Sequence, residues 1–347
     1  VVAVVPARNE ADVIARSVAS LLKQPELSQV VLVDDDSSDA TADVARETTA
    51  HLGQTQRLTI VTGTERPPGW LGKLWAMQQG MNAALDFDPD YLLFTDADII
   101  HAPNSTATLI ALAEERGCDL VSFMAKLHCR TGAEKWLIPA FVFFFFKLYP
   151  PRWISSDRHK TAGAAGGCIL VTAEALLRAG GLEAIRSEII DDCALAKAVK
   201  RSGGRILLSL TDLVSSERPY SATDIGRMIS RNAFNQLRHS TLLLAGSLAG
   251  LTLLYVAPPP LFIAGLVRSG TIDLAVAAMS AVAWLMMTAA YLPMVRFYRV
   301  NPLWALSLPV AALFYMGATV HSALTFWTGQ GGRWKGRIQD PVAERQI

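Results

Sequence analysis

A chain of 347 residues that is 51% hydrophobic and only 18% charged, with mean hydropathy +0.28, is too apolar for an ordinary soluble domain and long enough for two folding units. Lys plus Arg number 32 against 31 Asp plus Glu, and no basic run tracks a phosphate backbone, so a nucleic-acid partner is excluded. Cys118, Cys129, Cys168 and Cys193 show no C-x-x-C spacing or matching His pattern and read as buried or free thiols in a reducing compartment.

The sequence begins on Val1-Val2-Ala3-Val4-Val5-Pro6 without Met, basic region or signal-type stretch, which reads as a fragment lacking its native start. Val1 to Val5 is a strand-like run, Glu10 to Lys23 has helical periodicity, Val30 to Val33 is a second strand and Ser38 to Thr49 a second helix. Leu58 to Val61, Tyr91 to Phe94, Leu120 to Phe123 and Ile169 to Val171 continue the strands. Helices are expected over Lys73 to Leu85, Ser105 to Glu115 and Cys193 to Arg201. Alternation of this kind implies an α/β domain over residues 1–240 with a largely parallel sheet, whose ligands sit beyond the carboxyl ends of the strands.

Near Thr241 the composition changes. Leu242 to Val267, Ile272 to Val295 and Leu303 to Trp327 are each long and apolar enough to cross a hydrocarbon core of roughly 30 Å, so residues 241–330 are expected to hold about three spans. Pro258-Pro259-Pro260 interrupts the first, either kinking it or turning it back as a hairpin. Arg296 and Arg299, and the basic tail at 331–347 with Arg333, Lys335 and Arg337, would fall on opposite faces after three crossings, which leaves the topology open. Trp136 to Tyr149, with Phe143 to Phe146 and flanking Lys135, Lys147 and Arg152, is too short to span and reads as an interfacial helix in preference to a buried core helix.

Each polar motif falls at the end of an apolar run. Phe94-Thr95-Asp96-Ala97-Asp98-Ile99 carries two carboxylates two residues apart, a pair that can grip Mg²⁺ or Mn²⁺ and present it to a diphosphate, or can be a solvated turn. Pro6-Ala7-Arg8-Asn9-Glu10 is a Pro-stiffened loop entering a helix, suited to a nucleoside or simply an N-cap. Asp34-Asp35-Asp36-Ser37-Ser38-Asp39 packs four carboxylates into six residues, which calls for donors or cations to offset repulsion, or else is a solvated loop with Asp39 as a cap. In Pro67-Pro68-Gly69-Trp70-Leu71-Gly72-Lys73 the glycines permit close backbone approach, and Lys73 opens a helix where it can meet an anionic ligand.

Gly163-Ala164-Ala165-Gly166-Gly167-Cys168 forms a small-residue wall. Asp191-Asp192 opens the next helix, as cap or as a fixed general base for a hydroxyl. Arg231 to His239, containing Arg238, either binds phosphate or anchors the membrane boundary. Trp70 and Trp75 either contact substrate or pack, with packing the default for a Trp in a helical pattern, and His101 reads as a structural histidine more readily than a further metal ligand.

The ordered set PARNE, VDDDSSDAT, GWLGKLWA, TDADI, GGCILVTAEALLRAGG and DDCALAKAVKRSGG resembles inverting, GT-A-fold glycosyltransferase family 2 over residues 1 to about 240, which implies a mixed, largely parallel sheet. GWLGKLWA, the C-terminal apolar segments and Gly331 to Arg337 are most similar to hopene-associated glycosyltransferases, with an organisation like that of ceramide glucosyltransferases. The resemblance implies a multi-pass enzyme of the bacterial inner membrane, its catalytic domain cytoplasmic, moving sugar from a UDP-sugar to a lipid hydroxyl. It implies that Pro6, Ala7, Arg8, Asn9, Glu10, Asp34, Asp35, Lys73, Asp96 and Arg238 hold the nucleotide sugar and that Asp96 and Asp98 hold the metal. Asp192 would then be the base with Asp191 beside it, and Gly166 and Gly167 would face the acceptor. Two departures are present: Asp191 stands where the family pattern has Glu, and the Gln-x-x-Arg-Trp motif of processive members appears only as Gln236-Leu237-Arg238-His239, which argues against long polymers. A polyprenyl-phosphate sugar synthase and a silent nucleotide-sugar-binding membrane subunit are the competing readings, whereas a dinucleotide-binding dehydrogenase lacks its G-x-G-x-x-G after the first strand.

Overall fold

Aliphatic runs ending on polar residues build the sheet that carries the motifs. The computed structural model describes residues 1–268 and 270–329, together with two short paired strands, Arg333–Trp334 and Arg337–Ile338; the rest of the basic tail lies outside the described residues. Two compact units emerge, one formed by Val1–Leu127 and Tyr149–Arg218, the other by His128–Leu148 and Pro219–Arg333.

The first unit runs β1 (Val2–Ala7), α1 (Ala11–Leu22), β2 (Gln29–Asp34), α2 (Thr41–His51), β3 (Leu58–Thr62), α3 (Gly72–Leu85), β4 (Tyr91–Thr95), β5 (Ile99–His101), α4 (Ser105–Arg116) and β6 (Leu120–Lys126). After the excursion α5 (Gly132–Leu148) into the second unit, it continues through α6 (Pro151–Ile154), β7 (Cys168–Thr172), α7 (Ala173–Arg178), α8 (Asp191–Arg201) and β8 (Ile206–Ser216). The strands form one sheet in the order β3-β2-β1-β4-β7-β6-β8-β5. β1, β2, β3 and β4 are parallel, β7 runs antiparallel to both β4 and β6, β8 parallels β6, and β5 returns antiparallel to β8. The expected mixed sheet is therefore present. All six residues of β1 are buried, as a strand covered on both faces requires.

Two strands escape the sequence pattern. β5 is three residues long, too short for a periodic signal, and β8 mixes apolar with Ser209, Thr211, Asp212, Ser215 and Ser216 across a register shift opposite Met124 to Lys126.

Gly80 shows how tightly α3 lies on the sheet. A Cβ there would stand 2.5 Å from Val4 Cγ1 and 2.8 Å from Val33 Cγ2. Gly80→Ala should therefore overpack this seam, with a net loss of about 1–2 kcal/mol after the helical gain of Ala, read as a lower denaturation midpoint of the detergent-solubilised protein. An unchanged midpoint would show that the seam relaxes freely.

The second unit contains α5, α9 (Ala222–Gln236), α10 (Thr241–Leu251) with a π-helical turn (Thr252–Val256), α11 (Pro258–Arg268), α12 (Thr271–Phe297) and α13 (Leu308–Trp327). Two helical stretches, Thr271–Phe297 and Pro302–Trp327, are long and apolar enough to cross a membrane, and the pair Thr241–Val256 and Pro258–Arg268 adds a third only if its 50° bend lies within one span. That bend coincides with the Pro258 to Pro260 interruption, where missing N–H donors break the ladder. Leu242, Ile272 and Met279, at 81, 81 and 74% exposure, turn outward as lipid-facing side chains would.

α5 is packed rather than bare: Leu137, Ile138, Ala140, Val142 and Phe143 are buried, Tyr315 donates its hydroxyl to Leu137 O at 2.9 Å, and Phe143 meets Tyr291 and Tyr255 edge-on. Its entry is fixed by the buried carboxylate of Glu134, which accepts from the backbone of Arg130, Thr131 and Tyr220 and pairs with His128 Nδ1 at 2.6 Å. Burial alone would raise the pKa of Glu134, but these donors outweigh it and bring it down to about 2.

Candidate active site

The carboxyl ends of β1, β2 and β4 and the starts of α3 and α8 converge within the first unit. At the β1 end, Pro6 and Ala7 are buried strand residues; the chain then turns through Asn9 in a left-handed conformation (φ 54°) before α1. Asn9 interlocks with the β2 loop: its N–H donates to Ser37 Oγ at 3.0 Å and its Oδ1 accepts from Ser38 N at 2.8 Å. Arg8 lies 3.7 Å from Asp35 Oδ2 and 3.5 Å from Asp36 Oδ2 and also donates to Asp35 O. Asp34 Oδ1 accepts from Ser37 N, while Asp39 accepts from Ala11 N and Thr41 N and so serves as the local cap. The acidic loop is thus offset by donors, and Asp35 rather than Asp39 is the buried carboxylate.

Lys73, in the first turn of α3, joins the other two motifs. Its Nζ lies 2.9 Å from Asp96 Oδ1 and 3.2 Å from Asp191 Oδ2. Burial works against its charge, but Asp191 and Asp96 prevail and push its pKa upward, so it is an ammonium throughout any working pH. Asp96 is moved upward by burial, against the pull of Lys73. The loop before Lys73 is ordered by Leu71 N donating to Arg186 O at 2.9 Å, and Trp70 and Trp75 pack edge-to-face at 5.3 Å as packing residues should.

Asp192 is held at both oxygens: Gly166 N donates to Oδ2 at 2.8 Å and Cys193 N to Oδ1 at 2.7 Å. Each oxygen keeps a further lone pair, so an oriented proton acceptor results. Burial and the neighbouring Asp191 charge raise its pKa to about 6, against the pull of Lys73 and the two N–H donors. Gly166 is positioned by need: a Cβ would lie 3.3 Å from Asp192 Oδ2 and 3.5 Å from Lys73 Nζ. Gly167 is stitched to the Asp-x-Asp motif through its carbonyl, which accepts from Thr95 Oγ1 at 2.8 Å.

Asp98 is buried and accepts from Ser216 Oγ at 2.7 Å and Arg218 Nε at 3.2 Å, both on Oδ2. Arg218 also pairs with Glu10 Oε2. Motif reading did not single out Arg218; it follows the irregular β8 and lies 120 residues from Asp98 in sequence, so spacing held no signal. His101 has both ring nitrogens engaged, by Thr95 Oγ1 at 3.0 Å and Ser105 Oγ at 3.3 Å, and burial lowers its pKa to about 4, so it is a structural residue. Arg238 belongs to the second unit, just past α9 in a left-handed conformation (φ 52°).

Among the described residues no group of three or more His, Cys, Asp and Glu side chains converges as a self-sufficient metal cage. Asp96 and Asp98 offer hard oxygen donors, which fit Mg²⁺ or Mn²⁺ when water and phosphate oxygens complete the shell.

This arrangement has known counterparts. The family described as Glycosyl transferase family 2 matches residues 2–178, just over half of the chain. The chain belongs to that family. Within it, the chain is 33% identical over 96 residues to 4,4'-diaponeurosporenoate glycosyltransferase of Staphylococcus haemolyticus, covering 28% of this chain and 23% of that protein. It is 34% identical over 120 residues to the uncharacterized glycosyltransferase YaiP of Escherichia coli, covering 34% of this chain and 28% of that one. The chain thus spans less than a third of the length of these curated relatives. Among solved structures, the mannosyltransferase PcManGT from Pyrobaculum calidifontis, in complex with GDP-Man and Mn²⁺, superimposes with TM-score 0.51 at 18% identity over 92% of this chain and 86% of that chain, a likeness of GT-A fold.

Proposed function

We propose that this family 2 protein is a membrane-bound inverting glycosyltransferase that moves a sugar from a UDP-sugar to a hydroxyl of a lipid acceptor. The observation that carries the reading is the single ammonium of Lys73, which binds both Asp96 of the Asp-x-Asp motif and Asp191 beside Asp192. A diphosphate drawn to Lys73, beside Asp96, would therefore leave the anomeric carbon near a fixed base. The nucleoside is assigned to the β1 and β2 ends, with Glu10 and Asp35 facing uracil and ribose. Gly166 and Gly167 form the acceptor wall.

In the proposed reaction Asp192 takes the acceptor hydroxyl proton as that oxygen attacks the anomeric carbon, the bond from that carbon to the diphosphate oxygen breaks, and UDP departs carrying the electron pair. One displacement inverts the centre. A divalent cation held by Asp96 and Asp98 would neutralise charge on the departing diphosphate. Lys73 and Arg8 orient the donor, and the glycine wall leaves room for the incoming oxygen.

Two helices apolar enough to span a membrane, and the aromatic end of α5 with Phe145, Phe146 and exposed Leu148, support an acceptor whose tail lies in a bilayer. The resemblance to hopene-associated enzymes makes a hopanoid or related lipid the first acceptor to try. A neutral hydroxyl acceptor is favoured over a polyprenyl phosphate because an oriented base is superfluous for an acceptor that is already an anion.

The test incubates solubilised protein with Mn²⁺, labelled sugar nucleotides and a bacterial lipid extract. Label should enter the organic phase from a UDP-sugar and fall by about 10²-fold or more on chelation, since metal charge stabilisation is worth several kcal/mol. Transfer from GDP-sugars alone would refute the donor. Absence of transfer despite UDP binding would favour the silent-subunit reading.

A further inference from the structure

Arg218 stands where the donor pocket most needs explaining. Its guanidinium joins two of the motifs, Nη2 to Glu10 of the β1 loop and Nε to Asp98 of the Asp-x-Asp motif. The Glu10 backbone is held through its N–H to Thr41 Oγ1 at 2.8 Å and the Asp98 carboxylate by Ser216 Oγ at 2.7 Å, and the two acidic side chains are 11 and 12% exposed. Arg218, at 33%, lies in the loop after β8, where the following Pro219 favours extended backbone. Burial disfavours its charge, but Asp98 and Glu10 more than offset this and push its pKa upward, so the guanidinium is permanently charged.

A monovalent cation 3.2 Å from Asp98 Oδ2 repels any divalent cation arriving at that carboxylate. The diphosphate that accompanies the metal offers the same guanidinium a bidentate partner of higher charge.

We propose that Arg218 is a donor-responsive latch, which bridges Glu10 and Asp98 while the pocket is empty and moves from Asp98 to the diphosphate when metal and nucleotide enter together. The inference rests on the donor-site reading above. It makes Arg218 a positioning residue that suppresses futile metal binding and couples metal to nucleotide. A static counter-ion would repel metal equally with and without nucleotide; a latch would repel it only without.

The test measures Mn²⁺ affinity of the full solubilised chain by electron paramagnetic resonance of free Mn²⁺, with and without UDP, in wild type and Arg218→Met. Without UDP the variant should bind Mn²⁺ about tenfold more tightly, as for a site freed from an occluding state populated about nine-tenths of the time. UDP should tighten Mn²⁺ binding more in wild type than in the variant, again by about tenfold, because the latch contribution to coupling is gone. Equal tightening by UDP in both proteins, or unchanged Mn²⁺ affinity without it, would overturn the latch and leave the donor reading standing. Failure of wild type to bind Mn²⁺ even with UDP would remove both. If Arg218→Met does not fold, Arg218→Lys carries the same test: one ammonium cannot hold Glu10 and Asp98 in the two-pronged way, and coupling should fall partway.

Discussion

Asp192→Asn should lower sugar transfer by about 10²–10⁴-fold with UDP-sugar affinity changed no more than a few-fold, the range for loss of a general base. The amide is nearly isosteric, but its single carbonyl oxygen can accept from only one of Gly166 N and Cys193 N, which hold the native oxygens at 2.8 and 2.7 Å, so the proton acceptor is lost and the other N–H is left facing the new NH2. The pH profile gives an independent reading. The base acts ionised, and burial with the Asp191 charge raises its pKa to about 6, so kcat/KM should fall about tenfold per pH unit below that value and level off above it. A variant that retained full activity, or a wild-type profile flat down to about pH 4.5, well below that pKa, would remove Asp192 from this role. It would revive an acceptor already charged, such as a polyprenyl phosphate.

Much of this site was legible because its residues follow strong apolar runs. β1, β2 and β4 are buried strands whose ends are marked by Pro6 to Glu10, Asp34 to Asp36 and Asp96 to Asp98, and parallel topology gathers strand ends on one side. Lys73 and Asp191-Asp192 were legible as helix starts, but their union through one ammonium was not, since it depends on where α3 and α8 land on the sheet. Arg218 illustrates the limit: it joins Glu10 across 208 residues after a strand rich in Ser and Thr. α5 shows another. Its aromatic composition suits a bilayer interface and a packed core alike, and only the burial of Leu137 to Ala140, Val142 and Phe143 shows how much of it is packed. The proline-interrupted segment likewise announced a break, while the 50° bend and the π turn before it are properties of the folded backbone.

Lys73→Met should be the second severe change, lowering kcat/KM at about pH 7 by about 10²-fold, in line with removal of one partner from a buried charge network. Three carboxylates respond to this ammonium: Asp96 and Asp191 touch it at 2.9 and 3.2 Å, and Asp192 feels its charge. The sign of the pH effect follows from that arrangement. Lys73 pulls the Asp192 pKa down, so its loss lets burial and Asp191 push that pKa above about 6, and the acid limb of the profile should move to higher pH. Raising the assay from about pH 7 to about 8.5 should then recover part of the lost rate, leaving a residual deficit from weaker diphosphate binding, visible as a higher KM for the donor. Lys73→Arg should keep the wild-type limb, since it keeps the charge, yet lose rate because a planar guanidinium cannot occupy the space that Gly166 leaves beside Nζ. The two substitutions together therefore separate charge from shape. If Lys73→Met instead kept the acid limb near its wild-type position, the ammonium would act on the donor alone and its link to the base would be only a contact of the empty pocket.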